Sequence, residues 1–203
     1  NLFLKWPTKQ ADLIHVFTAE QKDILMERMK IQSERIFVWP SGVDLSKFER
    51  KQSKEELRKK LRLPNKFIIL NVSSIVRKRR LELILKSSKD LDVFFVHVGI
   101  SVDDDYFEYL QNLIRENNLE GKVLFVGRRI FDETIDYYLA ADLFILASSN
   151  ESFGIPILEA LSAGLPILAT NVGAAKELVD DNVNGFIIND TNINEKIVLA
   201  MNF

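Results

Sequence analysis

The chain contains no cysteine, only two histidines and only five prolines among its 203 residues. Without cysteine it can form no disulfide and no cysteine-ligated metal site, which fits a reducing compartment, and we expect a cytoplasmic protein. No apolar run reaches the 18 residues or more of a membrane-spanning helix. The first residues lack the charged start and the long apolar core of a signal peptide. Because the chain begins with Asn1 and not with methionine, we expect it to be a fragment.

The composition is that of a globular protein, with 47% hydrophobic and 28% charged residues. At roughly 150 residues per domain, the length predicts one domain with a surplus or two small ones. The net charge of −2 hides an asymmetry, since residues 50–90 contain fourteen Lys or Arg against four Asp or Glu, whereas residues 150–203 contain two against seven. Such a split can steer an anionic ligand, although solvated helix faces explain most of these charges equally well. Aromatic residues interleaved with a basic stripe are missing, which argues against nucleic acid as a partner.

From Lys66 onward, short apolar runs alternate with segments of helical length. The predicted strands are Phe67–Val72, Val93–Val98, Val123–Val126, Leu143–Ala147, Pro166–Thr170 and Phe186–Ile188. The predicted helices are Arg79–Lys89, Asp104–Asn117, Asp132–Ala141, Pro156–Ala163, Ala174–Val179 and Ile193–Met201. This alternation predicts an α/β fold, a Rossmann-like doubly wound parallel sheet with helices on both faces.

The first 50 residues follow a different pattern. Here we predict a strand over Asp12–Thr18, a helix over Ala19–Met29 and a strand over Arg35–Trp39. Ser53 and Glu56 have the spacing of a capping box at the start of a further helix. One strand–helix–strand unit cannot build its own core, so we expect residues 1–45 either to pack on the later domain, residues 46–203, or to be the tail of a missing one.

The most informative segment is Glu151-Ser152-Phe153-Gly154-Ile155-Pro156-Ile157-Leu158-Glu159, which follows a predicted buried strand. Pro156 suits the first turn of a helix and Gly164 the position after its end. Glu151 then lies on the loop at the carboxyl end of the strand, where open α/β sheets bind ligands, and Glu159 lies about one turn into the helix. Two acceptor-only side chains suit a ligand rich in hydroxyl groups, such as a ribose and a sugar.

The loops after other strands also suit an anionic ligand. Four consecutive cations, Arg77-Lys78-Arg79-Arg80, fall where the first strand of the main domain gives way to a helix. A helix N-terminus favours anions, so cations there indicate a bound phosphate, although solvated side chains are the alternative. Ser152-Phe153-Gly154 and Val172-Gly173-Ala174 each precede a predicted helix, and glycine lets a ligand approach the backbone closely.

The sequence resembles the C-terminal, donor-binding half of the retaining GT-B-type glycosyltransferases of family 4. The resemblance covers nearly the whole chain. The stretches that carry it are Ala11-Asp12-Leu13-Ile14, Pro40-Ser41-Gly42-Val43-Asp44 with Phe48, Phe125-Val126-Gly127, Tyr138-Leu139-Ala140-Ala141-Asp142, Ser148-Ser149-Asn150-Glu151-Ser152-Phe153-Gly154 with Glu159-Ala160, Ala163-Gly164-Leu165-Pro166-Ile167, and Gly173 with Glu177 and Asn184-Gly185.

The resemblance implies a role for individual residues. It implies that Glu159 chelates the ribose hydroxyls of the nucleotide and that Glu151, the expected catalytic residue, contacts the transferred sugar. The backbone amides of Phe153 and Gly154 then bind sugar or phosphate, and Gly173 in the neighbouring loop is also expected to bind the donor.

The turn after the first strand of the main domain departs from the family pattern. The family usually has Gly-Arg followed by Lys there, whereas this chain has Ser73-Ser74, with Arg79 at the lysine position. We therefore expect Ser74 and one of Arg77, Lys78 and Arg79 to serve the diphosphate. We expect Arg128 to lie near the base.

The resemblance further implies a hexosyltransferase-like enzyme that moves a sugar from a nucleoside diphosphate sugar to a hydroxyl-bearing glycan or lipid-linked acceptor, as in polysaccharide biosynthesis. It implies no cofactor and no metal. From the resemblance we expect a further, N-terminal domain to hold the acceptor and residues 1–45 to be its remnant together with the interdomain linker, and we expect the fragment alone to bind the donor without turnover. We expect the full-length protein to associate peripherally with the inner face of the cell membrane. Two alternatives stay open, a non-catalytic nucleotide-sugar-binding module and a nucleotide-sugar epimerase of the same fold.

Three other sites in the sequence have simpler explanations. Asp103-Asp104-Asp105 contains the Asp-x-Asp spacing of metal-dependent glycosyltransferases, but acidic residues are expected at a helix start. His97 lies inside an apolar strand, and we expect it in the core. His15 lies in a similar strand, with the same expectation.

Overall fold

A computed structural model describes residues 7–202, and the chain divides into two compact units, Asn1–Gly42 and Val43–Phe203. The smaller unit contains strand β1 (Ile14–Val16), helix α1 (Ala19–Met29) and strand β2 (Ile36–Val38). The two strands are parallel, and Ile14 lies opposite Ile36. Thr18 caps α1, because its side chain accepts a hydrogen bond from the backbone N–H of Gln21.

The core of the smaller unit is formed by Val16, Ile31 and Ile36. His15 was expected in a core, and that expectation is wrong, because the structure places it in an exposed position. Successive side chains of a strand point to opposite faces, so the burial of Val16 turns its neighbour His15 outward. There its ring stacks on Phe37 and its Nε2 lies 2.7 Å from the carbonyl oxygen of Trp39.

The larger unit is built on a six-stranded parallel sheet. Its strands are β3 (Phe67–Val72), β4 (Val93–Val98), β5 (Val123–Gly127), β6 (Leu143–Leu146), β7 (Ile167–Thr170) and β8 (Gly185–Ile188), and they lie in the order β5-β4-β3-β6-β7-β8. The order reverses direction between β3 and β6, so the loops that follow these two strands flank the switch point where such sheets bind ligands.

Helices cover both faces of this sheet. They are α2 (Lys54–Lys60), α3 (Leu81–Ser88), α4 (Asp104–Glu116), α5 (Phe131–Ala140), α6 (Ile155–Ser162), α7 (Ala175–Leu178) and α8 (Ile193–Ala200). Neighbouring residues of one strand alternate between two cores. Ile68 and Leu70 join the core under α2, α5 and α6, whereas Ile69 joins the core under α3, α4 and α8. The predicted doubly wound fold is therefore confirmed.

Side-chain caps stabilise the starts of α1, α2 and α4. The capping box at α2 forms as expected, with the Ser53 side chain on the N–H of Glu56 and the Glu56 side chain on the N–H of Ser53. Asp103 caps α4 by accepting from the N–H of Tyr106.

Helix α3 starts two residues later than its sequence pattern predicts. The helix expected from Arg79 begins at Leu81, because residues 77–79 form a 3₁₀ turn and Arg80 adopts a left-handed conformation with φ of 50°.

Candidate functional site

The side chain of Glu151 lies on the loop after β6, where it meets Arg79 from the turn after β3. The two form an ion pair, and the side chains retain 10% and 18% of their exposure. Burial lowers the pKa of Arg79, but a guanidinium remains a cation in proteins. Its Nε is buried with no hydrogen-bond partner among residues 7–202. The pairing thus brings together a predicted sugar-binding acid and a predicted phosphate-binding cation, next to an unsatisfied donor.

The hydroxyl group of Ser148 contacts both members of this ion pair. Its hydroxyl oxygen lies 3.1 Å from Arg79 Nη1 and 3.0 Å from Glu151 Oε1, so it can accept from the cation and donate to the acid. Ser148 is fully buried, and its carbonyl oxygen accepts a 2.6 Å hydrogen bond from the hydroxyl of Thr170 on β7. Sequence reasoning gave Ser148 no role, although it lies three residues before Glu151 in the same motif.

Glu159 lies on the fifth residue of α6, half-buried, and accepts a 2.6 Å hydrogen bond at Oε2 from the hydroxyl of Tyr138 on α5. Burial raises the pKa of the Glu159 carboxyl, and the hydrogen bond from Tyr138 acts in the opposite direction. Burial and the nearby carboxylate also raise the pKa of Tyr138 well above its usual value, so this phenol is a neutral hydrogen-bond donor. Tyr138 was also missed as a functional residue; the signal in the sequence was a tyrosine on the apolar face of a helix, which needs a partner for its hydroxyl.

The two glycine loops pack backbone against backbone. Gly154 is the N-cap of α6 with φ of 98°, and Gly173 has φ of 58°. A Cβ atom at position 173 would lie 2.5 Å from the carbonyl oxygen of Phe153 and 3.0 Å from Cβ of Glu151. The N–H of Ala174 donates a 2.7 Å hydrogen bond to that same carbonyl. Gly173 therefore fixes the path of the loop that holds Glu151.

The remaining cations of the predicted phosphate turn point to different partners. Arg77 lies 3.7 Å from Asp103 and its guanidinium lies over the ring of Tyr106. Arg80 donates to the carbonyl of Ala147 and pairs with Asp190 at 2.7 Å. Lys78 is exposed, and its carbonyl oxygen accepts from the N–H of Ser149 at 2.8 Å. Of the three cations left open by the sequence, Arg79 is the one that the structure brings to Glu151.

Two further predicted residues lie at the same sheet edge without a contact to either acid. Ser74 is half-buried in the segment between β3 and the 3₁₀ turn. Arg128 is exposed directly after the end of β5.

Beneath this edge lies a polar group of Asn71, Ser73 and His97, in which Asn71 and His97 are fully buried and Ser73 is half-buried. The Asn71 amide donates to the carbonyl of Ile145 at 2.7 Å, and the Ser73 hydroxyl donates to the Asn71 side-chain oxygen at 2.7 Å. His97 is fully buried, as expected, and its Nε2 lies 3.5 Å from the Ser73 hydroxyl. Burial lowers the pKa of His97 from 6.5 to about 4, so the ring is neutral at physiological pH.

The acidic run at residues 103–105 belongs to the start of α4. Asp103 acts as the N-cap, and Asp104 and Asp105 lie in the first turn. The part of the chain that the structure describes holds no cluster of three His, Asp or Glu side chains suited to a metal ion. None of the described helices combines the length and the apolar character needed to cross a bilayer.

Comparison with known proteins found similar sequences over most of the chain. The model of the family described as glycosyl transferases group 1 matches residues 53–202. The alpha-monoglucosyldiacylglycerol synthase of Streptococcus pneumoniae is 30% identical over 168 residues, covering 79% of this chain and 38% of that enzyme. An uncharacterized glycosyltransferase of Methanocaldococcus jannaschii is 25% identical over 93% of this chain and 58% of its own length. The chain thus spans less than two thirds of both curated relatives.

Solved structures show the same fold. The Anabaena protein HepE, crystallised with UDP-glucose, superposes with a TM-score of 0.86 at 24% identity, over 96% of this chain and 55% of HepE. The C-terminal domain of a glycosyl transferase group 1 protein from Francisella tularensis superposes with a TM-score of 0.73 at 22% identity, over 80% of this chain and 89% of that domain. The sheet is therefore that of the C-terminal half of a GT-B fold. Since the family model matches well over half of its residues, the chain belongs to the glycosyl transferases group 1 family, as its motifs predicted.

Proposed function

We propose that this chain is the donor-binding part of a retaining glycosyltransferase that moves a sugar from a nucleoside diphosphate sugar to a hydroxyl-bearing acceptor. Family membership supports the reaction class. Relatives indicate the nucleotide to test first, since a 29% identical Escherichia coli protein is named as a galactosyltransferase that uses UDP-Gal, and HepE was crystallised with UDP-glucose. We therefore take UDP-sugars as the donor class.

The observation that carries the proposal is the placement of two carboxylates eight positions apart in sequence, each held by a different kind of partner. Glu151 pairs with the cation Arg79, and Glu159 with the neutral phenol Tyr138. A nucleotide sugar offers hydroxyl groups at its ribose and its sugar, with a doubly charged diphosphate between them. The hydroxyls of such a ligand can donate to the two carboxylates, and its diphosphate suits the guanidinium and the N-terminal end of α6, where the helix dipole favours an anion.

The roles follow from this match. Glu159 accepts hydrogen bonds from the ribose, and Glu151 accepts from a hydroxyl of the transferred sugar. The diphosphate lies against Arg79, with Lys78 and Ser74 at its outer side, and the amides of Phe153 and Gly154 bind its oxygens or those of the sugar. Gly173 keeps that loop in place, and Arg128 lies towards the base.

In the transfer step, the bond between the anomeric carbon and the diphosphate oxygen breaks, and a bond from that carbon to the acceptor oxygen forms on the same face. The acceptor's proton passes to the departing diphosphate, so the anomeric configuration is retained. Negative charge grows on the diphosphate as the bond breaks, and fixed cations and N–H groups that already surround it lower the barrier. In this chain the fixed cation is Arg79.

The remaining assignments concern the complete protein. We propose that residues 1–45 are a remnant of the acceptor domain with the interdomain linker, and that residues 46–203 bind the sugar donor. For the acceptor we propose a glycan or a lipid-linked hydroxyl compound. We place the full-length protein in the cytoplasm, at the inner face of the membrane where the acceptor is a lipid.

The test is calorimetric titration of the full-length protein with UDP and UDP-sugars. We expect Glu159→Ala to weaken UDP binding at least about tenfold, since hydrogen bonds to a charged group contribute about 1.5–3 kcal/mol each. Glu195→Ala, an exposed acid on α8, is the matched control and should bind as the wild type does. UDP binding that is equal in wild type and Glu159→Ala would refute the ribose role.

Product analysis separates the reaction classes. With donor and acceptor present, the proposal requires a glycosylated acceptor of unchanged anomeric configuration. An isomerised nucleotide sugar that forms without any acceptor would identify an epimerase. Donor binding without either product, in the full-length protein supplied with a range of acceptors, would identify a binding module.

A further inference from the structure

Tyr138 is fixed in place by the packing of the core around its ring. It lies on α5 with none of its surface exposed, and its ring packs edge-to-face on Phe48 with centroids 6.1 Å apart. A second aromatic neighbour is Phe144 of β6, at a centroid distance of 5.8 Å. These contacts leave the phenol no freedom to follow a moving partner. Its hydroxyl oxygen is therefore a fixed point in the core, 2.6 Å from Glu159 Oε2.

The carboxylate of Glu159, in contrast, depends on partners for its orientation. The last torsion of a glutamate side chain is broad, so a carboxylate at the edge of the core can rotate unless something holds one oxygen. An ionised carboxylate has about four acceptor positions, of which Tyr138 occupies one. Three positions remain, which suffices for both hydroxyls of a ribose while the phenol stays bound.

The phenol also favours the form of Glu159 that can accept two hydroxyls. Burial disfavours the ionised carboxylate, whereas donation from Tyr138 favours it. A protonated carboxyl would have to donate one hydrogen bond and would lose part of its acceptor capacity.

From this geometry we propose that Tyr138 is a positioning residue for ribose recognition, which fixes the orientation of the Glu159 carboxylate without touching the nucleotide. This inference rests on the proposed ribose role of Glu159. It goes beyond that role, because it assigns part of the selectivity for ribose over deoxyribose to a residue in the core.

A merely structural role makes a different prediction. If the Tyr138 hydroxyl served only the fold, its removal would lower stability and affect all nucleotides alike. A positioning role changes the preference for nucleotides that carry the hydroxyls. The quantity to measure is thus the ratio of the affinity for UDP to the affinity for 2′,3′-dideoxy-UDP. A loss of affinity that is equal for both nucleotides leaves this ratio unchanged.

Tyr106→Phe is a closely matched control. Tyr106 is also buried, at 1% exposure, and its hydroxyl also donates to a glutamate, Glu82 on α3. It differs in lying on the opposite face of the sheet, in the core under α3 and α4. Both substitutions remove one buried phenolic hydroxyl, and only one of them removes a partner of Glu159.

The experiment measures this affinity ratio in the full-length protein by calorimetry. We expect wild type and Tyr106→Phe to prefer UDP by the same factor, and Tyr138→Phe to reduce that factor about three- to tenfold, in line with the net contribution of a single hydrogen bond. Tyr138→p-aminophenylalanine restores a hydrogen-bond donor at the same place and should recover the wild-type ratio. This variant also tests the proposal if Tyr138→Phe does not fold.

The outcomes separate the two levels of the argument. An unchanged ratio in Tyr138→Phe, beside a wild type that prefers UDP, overturns the positioning role and leaves the ribose role of Glu159 standing. Loss of the ratio in the p-aminophenylalanine variant also overturns it. A wild type that binds both nucleotides equally refutes the ribose role itself, and the inference falls with it.

Discussion

Acidification should destabilise this chain through His97 before most of its carboxylates protonate. The ring is fully buried next to Phe125, and its Nδ1 has no hydrogen-bond partner within residues 7–202. Burial lowers its pKa from 6.5 to about 4. Because the unfolded chain takes up this proton at higher pH than the native one, the contribution is fully present above pH 6.5 and is lost as the pH falls towards 4.

The magnitude follows from the size of the shift. The difference of about 2.5 units between 6.5 and 4 corresponds to about 3 kcal/mol, since one pKa unit is about 1.4 kcal/mol. For a domain whose total stability is about 5–15 kcal/mol, this is a large fraction.

Urea unfolding at pH 7 and at pH 4 measures this loss. Carboxylates contribute to acid denaturation as well, so the informative quantity is the difference between wild type and His97→Gln, which keeps a neutral polar group at the same place. Between pH 7 and pH 4, we expect the free energy of unfolding of the wild type to fall by about 3 kcal/mol more than that of His97→Gln. The same loss in both proteins would show that His97 does not resist protonation in the fold.

Three further predictions concern the site itself. Gly173→Ala should weaken UDP binding in calorimetry at least about tenfold, since the new Cβ displaces the Phe153 carbonyl. Gly121 also has a positive φ but has open space around it, so the control variant Gly121→Ala should bind UDP as the wild type does. Equal affinities of the two variants would contradict this prediction. Arg79→Ala should lower kcat/KM at least about tenfold and more than Lys78→Ala, because only Arg79 contacts Glu151, and the reverse order would move the phosphate site to Lys78. Glu159→Gln should raise the melting temperature at pH 7 while it weakens UDP binding, because burial disfavours the carboxylate; a lowered melting temperature would contradict that cause.

The strands and the edge that carries the site were predictable because their signals are local. Buried parallel strands are almost wholly apolar, as in β6 and, except for Asn71, in β3, and glycine with proline delimits α6. Each predicted strand end lies within two residues of its observed position. The side of the sheet on which Glu151 lies then followed from the connection of a strand to the helix after it.

Other features depended on contacts between residues distant in sequence. The start of α3 at Leu81 depends on a left-handed conformation of Arg80, which is uncommon for residues other than glycine and which local pattern does not reveal. Arg80 is held there by Ala147 and Asp190, 67 and 110 residues away. The hydrogen bond from Tyr138 to Glu159 spans 21 residues and joins two helices, so it cannot be predicted from either sequence segment alone.

The exposed His15 shows a further limit of pattern reading. A short apolar strand predicts burial, but it does not say which of its two faces is covered. In β1 the buried side chain is Val16, and His15 lies on the other face.

A crystal structure of the full-length protein with a bound UDP-sugar tests the central claim most directly. We expect both ribose hydroxyls within hydrogen-bond distance of Glu159, the diphosphate against Arg79 and the start of α6, and a sugar hydroxyl on Glu151. A nucleotide bound elsewhere, or bound at this edge with its ribose turned away from Glu159, would contradict the account.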